Sequence, residues 1–292
     1  MRGAAVARIE ISGINIEYEL LGNEGAPAVA LTPGGRFPKD TIGMKEFADA
    51  LVAGGKRVLL WDRPNCGASD VCFDGENESE LQGRTLTRLI RALKLGPTAI
   101  AAGSGGSRVS LIAASRDPEI VSHLIIWWIS GGTVGLISLG AYYCCGSALA
   151  ASQGGMEAVA NLPEWQLQIQ RNPRNREILL SQDKDVFIRT MERWCSVYIP
   201  SPISPVPGMS LEDFAQLRMP ALVFRSGASD LSHTRRTSDW VSRLIPHCDY
   251  RDPPWNDDEW NYRTGSNAKQ GTGLFNSWHK LAPAILEFTA KK

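Results

Sequence analysis

The stretch Thr98-Ala99-Ile100-Ala101-Ala102-Gly103-Ser104-Gly105-Gly106-Ser107 decides the fold. Its first half reads as a short buried strand of small residues, and its second half crowds glycines around a serine. Arg108 to Ser115 then carries an apolar face (Val109, Leu111, Ile112, Ala113) and stops at Asp117-Pro118, so a helix is expected there. A strand that turns abruptly into a helix strains the residue at its apex and leaves no room for side chains two positions away. Ser104 meets that condition, with Ala102 before it and Gly106 after it. Such a turn holds the Ser104 hydroxyl above the sheet edge. The following backbone N–H groups and the helix N-terminus then face any negative charge developing beside it.

This pattern, small-x-Ser-x-Gly, resembles the nucleophile elbow of the α/β-hydrolase family, with Ala102 replacing the commoner first glycine. Two other readings compete for the same residues. Ser107 as the nucleophile would put Val109 in the small-residue position. Gly103-Ser104-Gly105 as the start of a dinucleotide-binding loop would put Arg108 where the third glycine belongs.

Composition narrows the function classes. Lys plus Arg and Asp plus Glu both number 31, and a neutral balance gives no support to nucleic-acid binding or membrane-surface attraction. Cysteines stand at 66, 72, 144, 145, 195 and 248 with no Cys-x-x-Cys, and the histidines are not clustered; neither a metal site nor a disulfide framework is expected, and a reducing cytoplasm suits them. The N-terminus meets Arg8 and Glu10 before a signal-peptide core can develop. Leu124 to Met156 carries no charged residue but is broken by Gly131-Gly132, Gly135, Gly140 and Gly146, which favours a buried strand and helices around an apolar cavity over a membrane span.

Taken in order, Ala7–Ile11 and Asn15–Leu20 alternate apolar and polar around Ser12-Gly13, a hairpin pattern. Ala28–Leu31, Arg57–Trp61 and Leu124–Ile129 are short apolar runs, and helical spacing lies between them at Met44–Val52 and Glu80–Leu95. This alternation implies a parallel sheet covered on both faces. The resemblance implies an α/β-hydrolase fold: a mostly parallel eight-stranded sheet with helices on both faces, its core at 1–130 and 219–292 and a helical cap inserted at 131–218. Helical patterns at Ala148–Ala160 and Ile178–Tyr198, then the proline-rich Pro200–Pro207, occupy that insertion. Tyr142, Tyr143, Trp165 and Trp194 are its candidate pocket aromatics, and Arg171, Arg174 and Arg176 read as a solvated face.

Site residues follow from the same resemblance. Pro33-Gly34-Gly35 matches the loop after the third strand, with proline in the usual histidine position, making Gly35 the second oxyanion donor after Gly105. Asp62-Arg63-Pro64-Asn65-Cys66-Gly67-Ala68-Ser69-Asp70 matches the loop after the fourth strand and is structural. Asp230, in Gly227-Ala228-Ser229-Asp230 after the seventh strand, is the acid; its alternative role is to cap a helix over His233–Leu244.

The family's histidine follows the eighth strand, here about Cys248–Asp252, yet the chain continues Pro253-Pro254-Trp255-Asn256-Asp257-Asp258-Glu259-Trp260. A serine hydroxyl needs a base within reach. His123 and His247 fall at the wrong end of the sheet, and His233 stands only three residues past the acid. His279 is therefore the expected base, delivered by the Asn256–Asn276 insertion. Asp257, Asp258 or Glu259, desolvated by Trp255 and Trp260, is the alternative. A third possibility is that the site has no base.

The leading expectation is hydrolysis of a small, largely apolar ester, lactone or related carbonyl compound. The protein is expected to be cytoplasmic, with a homo-oligomer as one option, and to have no cofactor, nucleic-acid or membrane partner. The alternatives are a C–C bond hydrolase or lyase on the same fold and a non-catalytic ligand-binding protein with a degenerate triad.

Overall fold

A computed structural model describes residues 6–265 and 273–290. Eight strands form one sheet: β1 (Ala7–Ile11), β2 (Ile14–Leu21), β3 (Ala28–Thr32), β4 (Arg57–Trp61), β5 (Thr98–Gly103), β6 (Val121–Trp127), β7 (Ala221–Phe224) and β8 (Cys248–Arg251). Their spatial order is β1-β2-β4-β3-β5-β6-β7-β8. Pairing is antiparallel where β2 meets β1 and β4, and parallel from β4 through to β8. The mostly parallel sheet expected from the alternating pattern is therefore what forms.

Side chains alternate across a strand, and here both faces are covered, which is why the central strands read as unbroken apolar runs. Val29, Val58, Ala101 and Leu222 pack under α1 (Met44–Ala53) together with the C-terminal Ile285 and Phe288. Their sequence neighbours Ala30, Leu59, Ile100 and Val223 face the opposite side, under α2 (Glu78–Ala92) and α3 (Gly105–Arg116).

Between β6 and β7 the chain is helical: α4 (Thr133–Gly140), a π-helical turn (Ala141–Cys145), α5 (Gly146–Ala160), α6 (Pro163–Arg171), α7 (Arg174–Leu180), α8 (Lys184–Ser196) and α9 (Leu211–Ala215). Thr133–Arg171 is long and apolar enough to cross a membrane by length and composition. Here it is kinked, with non-helical backbone at Gly154 and Gly155 inside α5. The insertion is tied to the sheet by buried amides: Asn172 donates to Asp70, and Asn175 donates to the Ser69 carbonyl while accepting from Val71 N–H. Trp165 and Trp194 surround Phe73 in the core, whereas Tyr142 and Tyr143 reach the cavity described below. The expected solvated arginines are exposed but paired: Arg171 with Asp40, Arg174 with Asp70, Arg176 with Glu157. The chain closes with α10 (Arg235–Leu244), α11 (Glu259–Thr264) and α12 (Ala282–Phe288).

The N-terminal segment read for a signal peptide, Met1–Ala5, and residues 266–272 of the Asn256–Asn276 insertion lie outside the described residues.

Candidate active site

The site gathers at the C-terminal ends of β3, β5, β6 and β7, where a parallel sheet leaves its loops free to carry function. Ser104 follows β5 with φ 56° and ψ −127°, a conformation sparsely populated by side-chain-bearing residues. Small neighbours make it possible. A Cβ on Gly106 would stand 2.5 Å from the Thr32 carbonyl oxygen, and one on Gly34 would stand 2.7 Å from Ser104 Cβ. Ser107, the competing serine, is buried, and its N–H and hydroxyl both donate to the Ser104 carbonyl, bracing the turn from below.

Ser104 Oγ lies 2.8 Å from His233 Nε2, and His233 Nδ1 lies 3.0 Å from Asp230 Oδ2. A carboxylate only accepts, so in the neutral imidazole Nδ1 carries the proton and Nε2 presents its lone pair to the Ser104 hydroxyl. Asp230 and His233 are both 2 % exposed. The structure thus brings Ser104 and Asp230 together through His233, not through His279.

The reason is a turn. Asp230 Oδ1 accepts from the N–H groups of both Ser232 and His233, at 2.8 Å each, folding the loop back on its own acid. The following helix, expected from His233, begins only at Arg235 under a Thr234 cap, so His233 sits on the loop and its ring reaches Ser104 at the end of β5. The short spacing from Asp230, which looks prohibitive for a helical residue, is what an Asx turn supplies. Asp230 thus caps a turn with one oxygen and orients the histidine with the other, while the helix cap considered for it falls to Thr234.

His279 is exposed, in a short 3-10 turn with its Nδ1 against the Asn276 carbonyl. The alternative carboxylates are engaged elsewhere. Asp257 binds Arg225 and Arg235, which hold its carboxyl below the usual range; Asp258 accepts from Ser229, and Glu259 from Arg263. Trp255 and Trp260 do build an apolar environment, but for the imidazole. Trp260 meets the His233 ring edge-on at 4.4 Å, Trp128 stacks on that ring at 5.9 Å and touches Trp260, and Trp255 backs Trp128.

Gly105 is the first residue of α3, so its N–H has no acceptor within the helix. Gly35 N lies 3.0 Å from the position a Cβ on Gly105 would take, so the two glycines meet next to Ser104. Gly35 has φ +47°, and a Cβ there would strike the Phe37 ring. The loop is fixed from behind by buried Arg63, whose Nη2 donates to the carbonyls of Gly34, Gly35 and Phe37. The structural reading of Asp62 and Arg63 fits these contacts, since Asp62 accepts from the N–H groups of Lys39 and Ala68.

A cavity of about 340 Å³ opens over these groups. Ser104, His233 and Gly35 line it together with Phe37, Leu139, Tyr142, Tyr143, Trp260 and Phe275. Its wall is mostly apolar, as small-molecule sites are.

No protein-family model matches the chain. A 2-hydroxy-6-oxononadienedioate/2-hydroxy-6-oxononatrienedioate hydrolase of Cupriavidus pinatubonensis is 36% identical over 30% of this chain and 29% of its own length. Human serine hydrolase BPHL is 26% identical over 64% of this chain and 58% of its own length. The chain thus spans less than two thirds of the curated relatives it matches. Among solved structures, the enol-lactonase from Burkholderia xenovorans has TM-score 0.59 at 17% identity, covering 98% of this chain and 100% of that one. A meta-cleavage product hydrolase from Pseudomonas fluorescens has TM-score 0.61 at 16% identity, covering 98% and 97%. The full-length matches to solved structures show that the chain has the α/β-hydrolase fold, and the partial sequence matches are to hydrolases.

Proposed function

We propose that this protein is a serine hydrolase acting on a small, largely apolar ester, lactone or related carbonyl compound. The observation that carries the reading is the continuous relay from Ser104 Oγ through His233 to Asp230. In this reading Ser104 attacks the carbonyl carbon while His233 Nε2 takes its proton. Asp230 steadies the imidazolium, and the Gly35 and Gly105 amides receive the oxyanion. His233 then returns the proton to the leaving group, and water repeats the sequence to release the acyl half. The non-catalytic alternative arose from the lack of a histidine after β8, and that premise lapses once His233 is at hand from the β7 side.

A second reading, C–C bond hydrolysis of a hydroxy-oxo-dienedioate, is favoured by the names of the relatives from Cupriavidus pinatubonensis and Dechloromonas aromatica. Both readings use the same serine and differ in the bond that breaks.

The test is labelling by a fluorophosphonate and turnover of p-nitrophenyl acetate, a lactone and a ring-opened 2-hydroxy-6-oxo-dienoate, for the wild type and Ser104→Ala. Labelling and ester or lactone turnover that vanish in Ser104→Ala support the first reading. Ser104-dependent turnover of the dienoate alone supports the second. Tight binding of a small apolar ligand without labelling overturns both.

A further inference from the structure

We propose that the Tyr143 hydroxyl, backed by the Arg108 guanidinium, is a third donor to the oxyanion formed at Ser104. This rests on the reading of Ser104 as the nucleophile and adds to the two backbone amides a side-chain donor from the helical insertion.

The geometry converges on one point. Where a Cβ on Gly105 would stand, Gly35 N and Tyr143 Oη are each 3.0 Å away and Arg108 Nη2 is 3.7 Å away. An amide, a phenol and a cation thus crowd the first turn of α3, immediately after the serine, and a side chain on Gly105 would need the amide or the phenol to give way by a few tenths of an ångström. Tyr143 also lines the cavity that Ser104 and His233 line.

Arg108 is the unusual member. It lies one turn into α3 and is 2 % exposed. Among the described residues no carboxylate lies within ion-pair distance of it, and its Nε and Nη1 have no hydrogen-bond partner. Its charge is held by aromatic rings and hydroxyls: the guanidinium stands 5.5 Å from the Tyr143 ring centre and 5.3 Å from that of Tyr198, and Nη2 donates to Tyr198 Oη at 3.2 Å. Of the other buried arginines of this region, Arg36 has Glu78 as counter-charge and Arg63 donates to three backbone carbonyls, whereas Arg108 has neither. A buried cation without a counter-ion is costly to a fold. That cost is relieved when negative charge develops nearby, and a neutral ester or lactone brings none until its carbonyl is attacked. The interaction is then stronger in the transition state than in the ground state, which is the condition for accelerating the chemical step.

Tyr143 is held in place for this role. Arg36 donates to its carbonyl at 3.0 Å, and its ring stacks on Tyr198 at 5.8 Å and 15°. With the cation facing the phenol oxygen, the O–H is polarised and directed away from Arg108, toward the cavity.

In the acylation step the Ser104 Oγ–carbon bond forms as the hydroxyl proton moves to His233 Nε2, and the carbonyl π pair moves onto its oxygen. Gly35 N–H, Gly105 N–H and Tyr143 O–H donate to that oxygen. On collapse the pair re-forms the carbonyl, and the leaving group departs with the proton from His233. Tyr143 keeps its own proton throughout. Tyr143 is thus a catalytic residue and Arg108 a positioning residue that acts through it.

The test compares the wild type, Tyr143→Phe, Arg108→Met, Arg108→Lys and the Tyr143→Phe/Arg108→Met pair. The readouts are p-nitrophenyl acetate turnover, fluorophosphonate inactivation, phenylboronate affinity and thermal melting. The expectation for Tyr143→Phe is a kcat lower by about 10²-fold with KM within twofold, in the range of losing one oxyanion donor. Inactivation rate and boronate affinity should fall in parallel at an unchanged melting temperature. Arg108→Met should lose a similar factor, Arg108→Lys should recover part of it, and the double variant should lose no more than Tyr143→Phe. Ser104-dependent turnover at wild-type kcat in Tyr143→Phe, or a loss confined to KM, overturns the role of Tyr143 alone. A wild type whose Ser104 is neither acylated nor phosphonylated overturns it together with the proposed function. Tyr143→Phe preserves the packed ring, so its kinetics decide the matter even where Arg108→Met does not fold.

Discussion

Asp230 and His233 stand three residues apart and share a side-chain hydrogen bond of 3.0 Å, so acid and base of the candidate relay ride on one turn after β7. The loop after β8 is thereby released from supplying a base and contributes tryptophans instead. Replacing His233 by Ala is expected to lower kcat about 10³-fold or more. Asp230→Asn, which preserves the shape but favours the wrong tautomer, is expected to lose about 10³- to 10⁴-fold. His279→Ala should turn over p-nitrophenyl acetate at the wild-type rate. An active His233→Ala, or a dead His279→Ala of normal stability, would put the base elsewhere.

Arg63 acts on the other side of the serine, holding the glycine loop through three carbonyl oxygens at 2.7 to 3.4 Å. The guanidinium and the Gly34 carbonyl are buried and the other two carbonyls partly so, and Arg63→Met therefore leaves acceptors unsatisfied and lets Gly35 N–H drift. The expected cost is about 3 kcal/mol of stability, read by urea unfolding. The kcat should fall while substrate KM changes little, because the oxyanion donor is the group displaced. A variant equally stable and equally active would mean that the loop holds itself.

The elements that sequence conveys best here are those fixed by local pattern. Val29, Ala30 and Leu31 point alternately to two covered faces, so an unbroken apolar run could only be a central strand. Ser104 was legible because Ala102 and Gly106, two positions to either side, are small for a reason that spacing alone reveals, whereas the small Gly34 beside it shows only in the structure. His233 was not, because its position depends on which backbone N–H groups Asp230 captures. An Asp followed by a polar run reads equally as a helix cap or as an Asx turn. The difference of two residues in where α10 starts, Arg235 instead of His233, decides whether the imidazole reaches Ser104 or projects from a helix. Tyr143 and Arg108 were out of reach for another reason: they meet only when a helical insertion more than 30 residues along folds back on α3, and no periodicity encodes that contact.

Gly34 offers a separable test of the elbow. Its φ is unremarkable, so backbone freedom is not its purpose; a Cβ there would stand 2.7 Å from Ser104 Cβ and 3.1 Å from Ser104 Oγ. Gly34→Ala must push either the loop or the serine. Misplacement of a reacting group by about 1 Å can cost 10²-fold, and a loss of that order in kcat is expected with only a small fall in melting temperature. Fluorophosphonate labelling of Ser104 should slow by the same factor. Labelling at the wild-type rate would show that the loop yields without disturbing the hydroxyl.

Lys39 extends the same loop into a buried charge cluster whose strength depends on pH. Its Nζ lies 2.8 Å from Glu17, 3.5 Å from Glu19 and 3.7 Å from Asp62, and its N–H donates to Asp62 at 2.6 Å. Burial works against the ammonium, but Asp62, Glu17 and Glu19 outweigh it and raise its pKa above the ordinary 10.5. Asp62 itself is pushed up, burial outweighing Lys39 and its two backbone donors. A lysine whose folded pKa exceeds its unfolded one contributes stability that is complete below the unfolded value and is lost as pH rises through the folded one. Lys39→Met should therefore be destabilised at pH 7 by about 3 kcal/mol, since it leaves the buried Asp62 carboxylate without its counter-charge. The gap between wild type and variant should narrow as pH rises beyond about 10.5, because only the wild type has that proton to lose. Urea unfolding of both proteins from pH 7 to 11.5 measures the gap directly. A gap that stays constant across the alkaline range would mean that Lys39 stabilises the loop by packing its methylenes and not by its charge.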